Sequence, residues 1–370
     1  MMAATDLVPR VENAAYVVDL ANNENLMGPS PLAIEAIQRE AAQVYRYPDI
    51  DGTPLLDALA EHYETETEHF MLGNGSNELI DLIARQWARP GTEVIVPSPS
   101  FLPYGSASQR AGAKIIRTGL RDWHFDLDAV VDMICEKTSL IILGNPNNPT
   151  GTEIDRGTLE HWLATIPEDI LVVLDEAYAE YSSDQGLGLA LLKQRENLIV
   201  LRTFSKAYGL AGLRIGYAIG SPDLIRIVQS QRQQFNVNRL AHTAALAALK
   251  DQDYLLRVLG NNVVFKRILY AGLSDLRIAH VPSFTNFILL YCGYALATSE
   301  ALKTYRLLVK PLERFGLHEF IRVTIGPPET IERLLIALKE IQSEQSWFPV
   351  SECPVSVPKQ PCSGEKLWRY

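Results

Sequence analysis

Cysteine is scarce: four in 370 residues, Cys135, Cys292, Cys353 and Cys362. Cys135 and Cys292 sit in apolar stretches and are expected to be reduced core residues, while Cys353 and Cys362 lie in a proline-containing tail without paired-ligand spacing. Neither a disulfide framework nor a zinc site is expected. The seven histidines show no metal-type spacing either. No apolar run approaches the ~20 residues of a membrane-spanning helix. The opening "MMAATDLVPR" lacks the apolar core of a signal peptide. A basic excess is missing too. With 34 Lys and Arg against 44 Asp and Glu, the formal net charge is -10. Such a surface repels nucleic acid and anionic membrane, and no basic run or appended helix-turn-helix segment offsets it. The expectation is a soluble cytoplasmic protein.

What is present is a large apolar fraction, 47% of 370 residues, enough for a sizeable core and about two domains. The middle of the chain alternates short β-branched runs with helical patterns. "TEVIVPSPS", "SLIILGNPNNPTG", "DILVVLDEAY" and "NLIVLRTFSK" each end in polar or turn residues. Near-continuous apolar strands fit a parallel sheet covered on both faces. "SNELIDLIARQW" and "RGTLEHWLATI" between them carry helical spacing. The pattern predicts an α/β layered domain over residues 45–245. From 246 to 345 a long helix from about Gln252, the runs "TNFILLY", "TYRLLVKPL" and "FIRVTIG", and a last helix "ETIERLLIALKEIQ" predict a smaller α+β domain, completed by residues 1–44. Residues 346–370, rich in proline and small polar residues, are expected to form a flexible tail, the alternative being that Trp347, Phe348, Trp368 and Tyr370 pack on the body.

In open parallel sheets ligands gather at the C-terminal strand ends, so what each strand delivers there matters. "LVVLDEAY" delivers Asp175 and Tyr178. An aspartate after an apolar run needs a partner: a helix cap or buried ion pair, or a heteroaromatic nitrogen that it holds protonated. "GNPNNPTG" delivers Asn145, Asn147 and Asn148, a plain turn or a source of an amide donor. "FSKAYGLAGLRIGY" delivers Ser205, Lys206 and Arg214. A strand-end lysine is usually solvated, but a desolvated one is a nucleophile, and an arginine fork matches phosphate oxygens. "MLGNGSNELIDLI" places Gly73, Gly75, Ser76 and Asn77 before a helix, either an anion site or a simple cap. "VPSPSFLPY" supplies Phe101 and Tyr104, core aromatics or a ring-stacking face. Taken together, an amine nucleophile, a carboxylate for a ring nitrogen, ring-oxygen donors, a stacking aromatic and a phosphate cup describe one ligand, pyridoxal 5′-phosphate.

These motifs resemble those of fold-type I pyridoxal-phosphate aminotransferases, and most closely the histidinol-phosphate aminotransferase family. "ANNENLMGPSP", "YRYPD", "GNGSNELID", "NPNNPTG", "LDEAY", "TFSKAYGLAGLRIGY", "FNVNRLAHTAALAAL" and "FIRVTIGPPE" follow in that family's order, from about Asp19 to Lys339. The resemblance implies a large domain with a mostly parallel, seven-stranded-type sheet covered by helices. It implies that Lys206 bonds covalently to the cofactor, Asp175 pairs with its ring nitrogen, Tyr178 and Asn148 contact its ring hydroxyl, and Phe101 stacks on the ring. It implies phosphate contacts from Gly75, Ser76, Asn77, Thr203, Ser205 and Arg214, and from Tyr47 across a homodimer. Substrate contacts fall to Arg322, Asn25, Met27 and Lys310. The implied reaction moves an amino group from an amino substrate, histidinol phosphate or an amino acid, to a 2-oxo acid such as 2-oxoglutarate. Leu26 and Met27 replace the usual proline and aromatic, and Lys310 replaces an arginine; both departures bear on the substrate, because Arg and Lys are not interchangeable at a bidentate anion site. A lyase, decarboxylase or cyclase of the same fold acting on a specialised amino acid is the alternative reading. A non-catalytic cofactor sensor is disfavoured by the acidic balance and by the missing DNA-binding extension.

Overall fold

The computed structural model of the protein describes residues 16–349. Seven strands build the central sheet: β1 (Phe70–Gly73), β2 (Glu93–Pro97), β3 (Lys114–Thr118), β4 (Thr138–Gly144), β5 (Leu171–Asp175), β6 (Leu198–Thr203) and β7 (Gly216–Gly220). Their order across the sheet is β1-β7-β6-β5-β4-β2-β3. Pairing is parallel from β3 through β6, and β7 alone runs antiparallel to both of its neighbours.

The apolar strand runs have the two-sided burial that their composition predicts. In β5, Val172 and Leu174 join one core cluster while Leu171 and Val173 join the other. The same alternation holds in β4 and β6, where Ile141 and Val200 face one side and Ile142 and Ile199 the other. Each such side chain contributes about 1.5–3 kcal/mol by leaving water, so neither sheet face can be left bare. Helices cover both. Among them α1 (Ser76–Trp87) follows β1, and α2 (Pro103–Ala111) follows β2 with Pro103 in its first turn, where a missing N–H costs nothing.

The smaller sheet is antiparallel, in the order β8 (His280–Val281), β9 (Phe287–Tyr291), β11 (Leu317–Thr324), β10 (Lys310–Leu312). The long helix α3 (Gln252–Asp275) and the last helix α4 (Pro328–Glu344) pack on it through Leu269, Leu273, Leu334 and Leu338. The segment 16–44 divides between the two bodies. Val18 and Asp19 pair with Leu307 and Leu308, and Leu20 is buried in the smaller core. Ala33, on the helix Pro31–Glu40, is buried in the larger one.

Two expectations need correction. Cys135 is exposed, because it falls in the turn before β4 and not inside an apolar element; Cys292 is buried as expected. The tail does not leave the body at residue 346: Phe348 is 5% exposed and packs with the small-sheet core. The rest of that tail, with Cys353 and Cys362, lies outside the described residues. No described helix is long and apolar enough to cross a membrane, and no metal-type cluster occurs among the described residues.

Candidate active site

Parallel register brings three strand ends to one line. Gly144 at the end of β4 faces Asp175 at the end of β5, which in turn faces Leu201 near the end of β6. The loops that follow open a cavity of roughly 500 Å³ between the two sheets. It is lined by Ser76, Asn77, Phe101, Tyr104, Asn148, Asp175, Tyr178, Thr203, Ser205, Lys206, Arg214, Lys310 and Arg322.

Lys206 lies three residues beyond β6. Its Nζ donates to the backbone oxygen of Asn22 at 3.0 Å and stands 5.8 Å from the centre of the Tyr178 ring. Burial, and then the Arg322 guanidinium, lower its proton affinity from 10.5 to about 8. Asp175 is buried, 3% exposed. Burial raises its pKa to about 6 although Tyr104 and the backbone of Ala177 donate to it, at 2.9 and 3.1 Å. Lysine and aspartate are thus each pushed toward neutrality by burial.

At one end of the cavity Thr203 Oγ1 donates to Ser205 Oγ at 3.0 Å, and Arg214 Nη1 reaches Ala211 O at 3.0 Å and Ser205 Oγ at 3.5 Å. Gly75 precedes α1 with φ +75°, and a Cβ there would come within 2.4 Å of Arg214 Nη2. The first turn of α1 therefore brings backbone N–H groups beside a guanidinium and two hydroxyls, a donor set suited to an anion. At the other end Arg322, on β11, donates to Asn148 Oδ1 at 2.5 Å and Ala21 O at 2.6 Å, while its buried Nε has no partner. Lys310 on β10 is its cross-strand neighbour. Tyr178 is held by Asn23, whose Nδ2 donates to the phenolic oxygen at 2.8 Å, so the Tyr178 proton is free to be donated elsewhere. Burial raises the Tyr178 pKa, which keeps that proton in place.

The Asn-rich turn divides its labour. Asn145 exchanges hydrogen bonds with the backbone of Ile154, and Asn147 donates to Pro99 O and Thr150 Oγ1. Both shape the loop, and only Asn148 lines the cavity. Asn25 and Met27 do not line it. They border a separate void of about 20 Å³ with Leu26, Val258 and Gly326, and Asn25 Nδ2 donates to Ala207 O at 3.0 Å, behind Lys206. Tyr47 is 78% exposed and stacks on Phe235 at 4.6 Å, away from this chain's own cavity.

Sequence reasoning passed over Asn22 and Asn23, which come from the N-terminal segment, and Arg314, which joins the lining from beyond β10. It also read Tyr104 as core or as a stacking aromatic, whereas its hydroxyl is a partner of Asp175. The motif "ANNEN" carries both asparagines beside Asn25, in a segment with no periodicity to say which of them faces the cavity.

The family model for aminotransferase class I and II matches residues 15–338. The chain belongs to the class I and II aminotransferases. It is a transferase that moves amino groups between small amino and oxo compounds. It is 42% identical over 330 residues to histidinol-phosphate aminotransferase 2 of Pseudomonas aeruginosa, covering 88% of this chain and 89% of the relative. It is 39% identical over 344 residues to the protein of the same name from Hydrogenovibrio crunogenus, covering 92% of each. The crystal structure of histidinol-phosphate aminotransferase from Sinorhizobium meliloti in complex with pyridoxal 5′-phosphate superposes with a TM-score of 0.82 at 28% identity, over 88% of this chain and 91% of that one. L-threonine-O-3-phosphate decarboxylase from Porphyromonas gingivalis shares the fold, with a TM-score of 0.79 at 23% identity over 89% of this chain and 100% of that one.

Pyridoxal 5′-phosphate suits the donors of this aminotransferase. The bare anion cup at Gly75, Ser205 and Arg214, the buried carboxylate of Asp175 and the low-affinity amine of Lys206 are three groups that an aldehyde-bearing, phosphorylated pyridine would each satisfy.

Proposed function

We propose that this aminotransferase is of the histidinol-phosphate type and uses pyridoxal 5′-phosphate to pass an amino group from histidinol phosphate or a related amine to a 2-oxo acid such as 2-oxoglutarate. The observation that carries the reading is the placement of Lys206, with its pKa lowered to about 8, in one cavity with Asp175 and the Arg214 cup. The 42% identity to a histidinol-phosphate aminotransferase supports the substrate class.

Ser76, Asn77, Thr203, Ser205, Arg214 and the Gly75 backbone would hold the phosphate. Phe101 would cover the ring, Asp175 would hold the proton on its nitrogen, and Tyr178 and Asn148 would meet its hydroxyl. When bound, the cofactor supplies an aldehyde for the amine and a ring that takes up the electron pair left at the α-carbon. Lys206 Nζ, released to its neutral form, accepts the proton from the substrate α-carbon. Asp175, kept anionic by its donors, retains positive charge on the ring nitrogen. Arg322, with its spare Nε and with Lys310 beside it, grips the substrate's anionic group.

The same reading makes the protein a cytoplasmic homodimer. Val44, Tyr45 and Tyr47 are each more than 60% exposed, an apolar surface on which a second copy would sit, with Tyr47 reaching the partner's cofactor phosphate. It also assigns 45–245 to the cofactor-binding domain and 246–345 to the small one, with the N-terminal segment shared.

The test is borohydride reduction of the yellow protein followed by peptide mapping, which should place the pyridoxyl group on Lys206. A spectral screen then compares histidinol phosphate with aromatic and basic amino acids. Turnover that consumes 2-oxoglutarate supports transamination; turnover without it would move the assignment to a lyase. A label elsewhere, or no label, overturns the proposal.

A further inference from the structure

Tyr104 sits one turn behind the aromatic that faces the cavity, on α2, and is 3% exposed. Its ring meets Phe101 edge to face, with centroids 5.6 Å apart at 77°. Its hydroxyl donates to Asp175 Oδ2 at 2.9 Å, while Oδ1 accepts from the Ala177 backbone at 3.1 Å. The backbone oxygen of Tyr104 accepts from Ser108 Oγ at 2.9 Å. Space for the hydroxyl is cut into the adjoining strand: a Cβ on Gly144 would lie 2.9 Å from Tyr104 Oη. Gly144 has no left-handed backbone to explain it, and it is the residue paired with Asp175. A glycine is therefore kept at the end of β4 where any side chain would meet the tyrosine oxygen.

We propose that Tyr104 is a positioning residue: its hydroxyl fixes Asp175 in the orientation that faces the cofactor ring and holds the carboxylate ionised in a dry site, with Gly144 clearing the space that this requires. The inference rests on the proposed use of pyridoxal 5′-phosphate. The physical argument is a competition. Burial favours the neutral acid, and two hydrogen bonds to the anion oppose it. The charged or titratable groups facing Asp175 are Tyr104 from α2, Glu176 and Tyr178 from its own loop, and Lys206 from the loop after β6. Glu176 repels the anion and Lys206 attracts it. Lys206 would be committed to the cofactor when it is bound, which leaves Tyr104 as the side chain that donates to the carboxylate. One residue thus braces both the ring-covering aromatic and the ring-nitrogen partner.

The experiment uses Tyr104→Phe and Gly144→Ala, each alone and in an Asp175→Asn background. The first readout is the titration of the Asp175 carboxyl by carbon-13 NMR of cofactor-free protein labelled at aspartate, assigned by difference from Asp175→Asn. Tyr104→Phe should move the midpoint up from about 6 to about 7, the worth of one hydrogen bond to a charged group. The second readout is the pH dependence of pyridoxal 5′-phosphate affinity. Tyr104→Phe should weaken binding about fivefold at pH 6 and little at pH 8.5, and Gly144→Ala should do the same. In the Asp175→Asn background neither change should have a further effect. A midpoint unmoved by Tyr104→Phe, or an equal loss of affinity in both backgrounds, overturns the inference and leaves Tyr104 as packing for Phe101. If the unaltered protein fails to bind pyridoxal 5′-phosphate at Lys206, the functional reading fails instead, and the carboxyl titration still decides the Tyr104–Asp175 coupling.

Discussion

Lys206 should destabilise the free protein, and replacing it by methionine should reveal by how much. Folding lowers the amine's pKa from 10.5 to about 8, chiefly by burial and then through the Arg322 charge. Between those values the unfolded chain binds more protons than the folded one, so stability rises with pH across that window. Below about pH 8 the full penalty applies, and above 10.5 it is gone. The difference corresponds to about 3 kcal/mol at neutral pH. Methionine keeps the apolar stem and removes the charge. With an unfolding entropy of about 2.1 cal/mol/K per residue, that penalty equals a rise of about 4 °C in Tm for a chain of this size. Thermal melts of cofactor-free wild type and Lys206→Met at pH 7 and pH 10.5 measure it. The variant should melt higher at pH 7, and most of the gap should close at pH 10.5. Equal melting at pH 7, or a gap that persists undiminished at pH 10.5, would refute the claim that the site holds this amine against its hydration.

Three further outcomes are expected. Asp175→Ala should lower turnover by orders of magnitude while the melt survives, because a buried carboxylate lost from the ring nitrogen removes the electron sink's counter-charge; a mild loss would remove Asp175 from that role. Gly75→Ala should weaken pyridoxal 5′-phosphate binding, about tenfold or more, through a Cβ 2.4 Å from Arg214 Nη2 and a φ of +75° that only glycine adopts freely; equal affinity by absorbance titration would say that the cup lies elsewhere. Arg202→Met should cost about 3–5 kcal/mol in urea unfolding, since it strands Glu176, its 2.7 Å partner, at 2% side-chain exposure; a loss under 1 kcal/mol would show that Glu176 is neutral or solvated in the fold.

The strands at 93–97, 138–144, 171–175 and 198–203 were readable because a two-sided sheet demands apolar residues at consecutive positions. Strands β1, β3 and β7 were not singled out. Residues 70–73 and 216–220 are short and hold glycines, and residues 114–118 form an edge strand whose positions are mostly exposed or half-buried. Candidate residues on the strand ends gathered as expected: Asp175, Tyr178, Ser205, Lys206 and Arg214 line one cavity. Those placed by resemblance on the N-terminal segment did not. Asn25 and Met27 face a different void, and their neighbours Asn22 and Asn23 reach Lys206 and Tyr178 in their place. In an irregular segment no periodicity links a position to a direction, so a shift of two or three residues leaves no trace in composition.

Local order along the chain was sufficient for the layered α/β plan, the delivery of a lysine and an aspartate to neighbouring strand ends, and the family. These depend on burial patterns and on residue types within a few positions of each other. Pairing across the chain was decided only by folding: Tyr104 with Asp175 over 71 residues, Asn23 with Tyr178 over 155, and Arg322 with Asn148 over 174. Such contacts arise where separate loops converge at the sheet's edge, and hydrogen-bond partners there are chosen by three-dimensional register, which a linear pattern of apolar and polar residues does not carry.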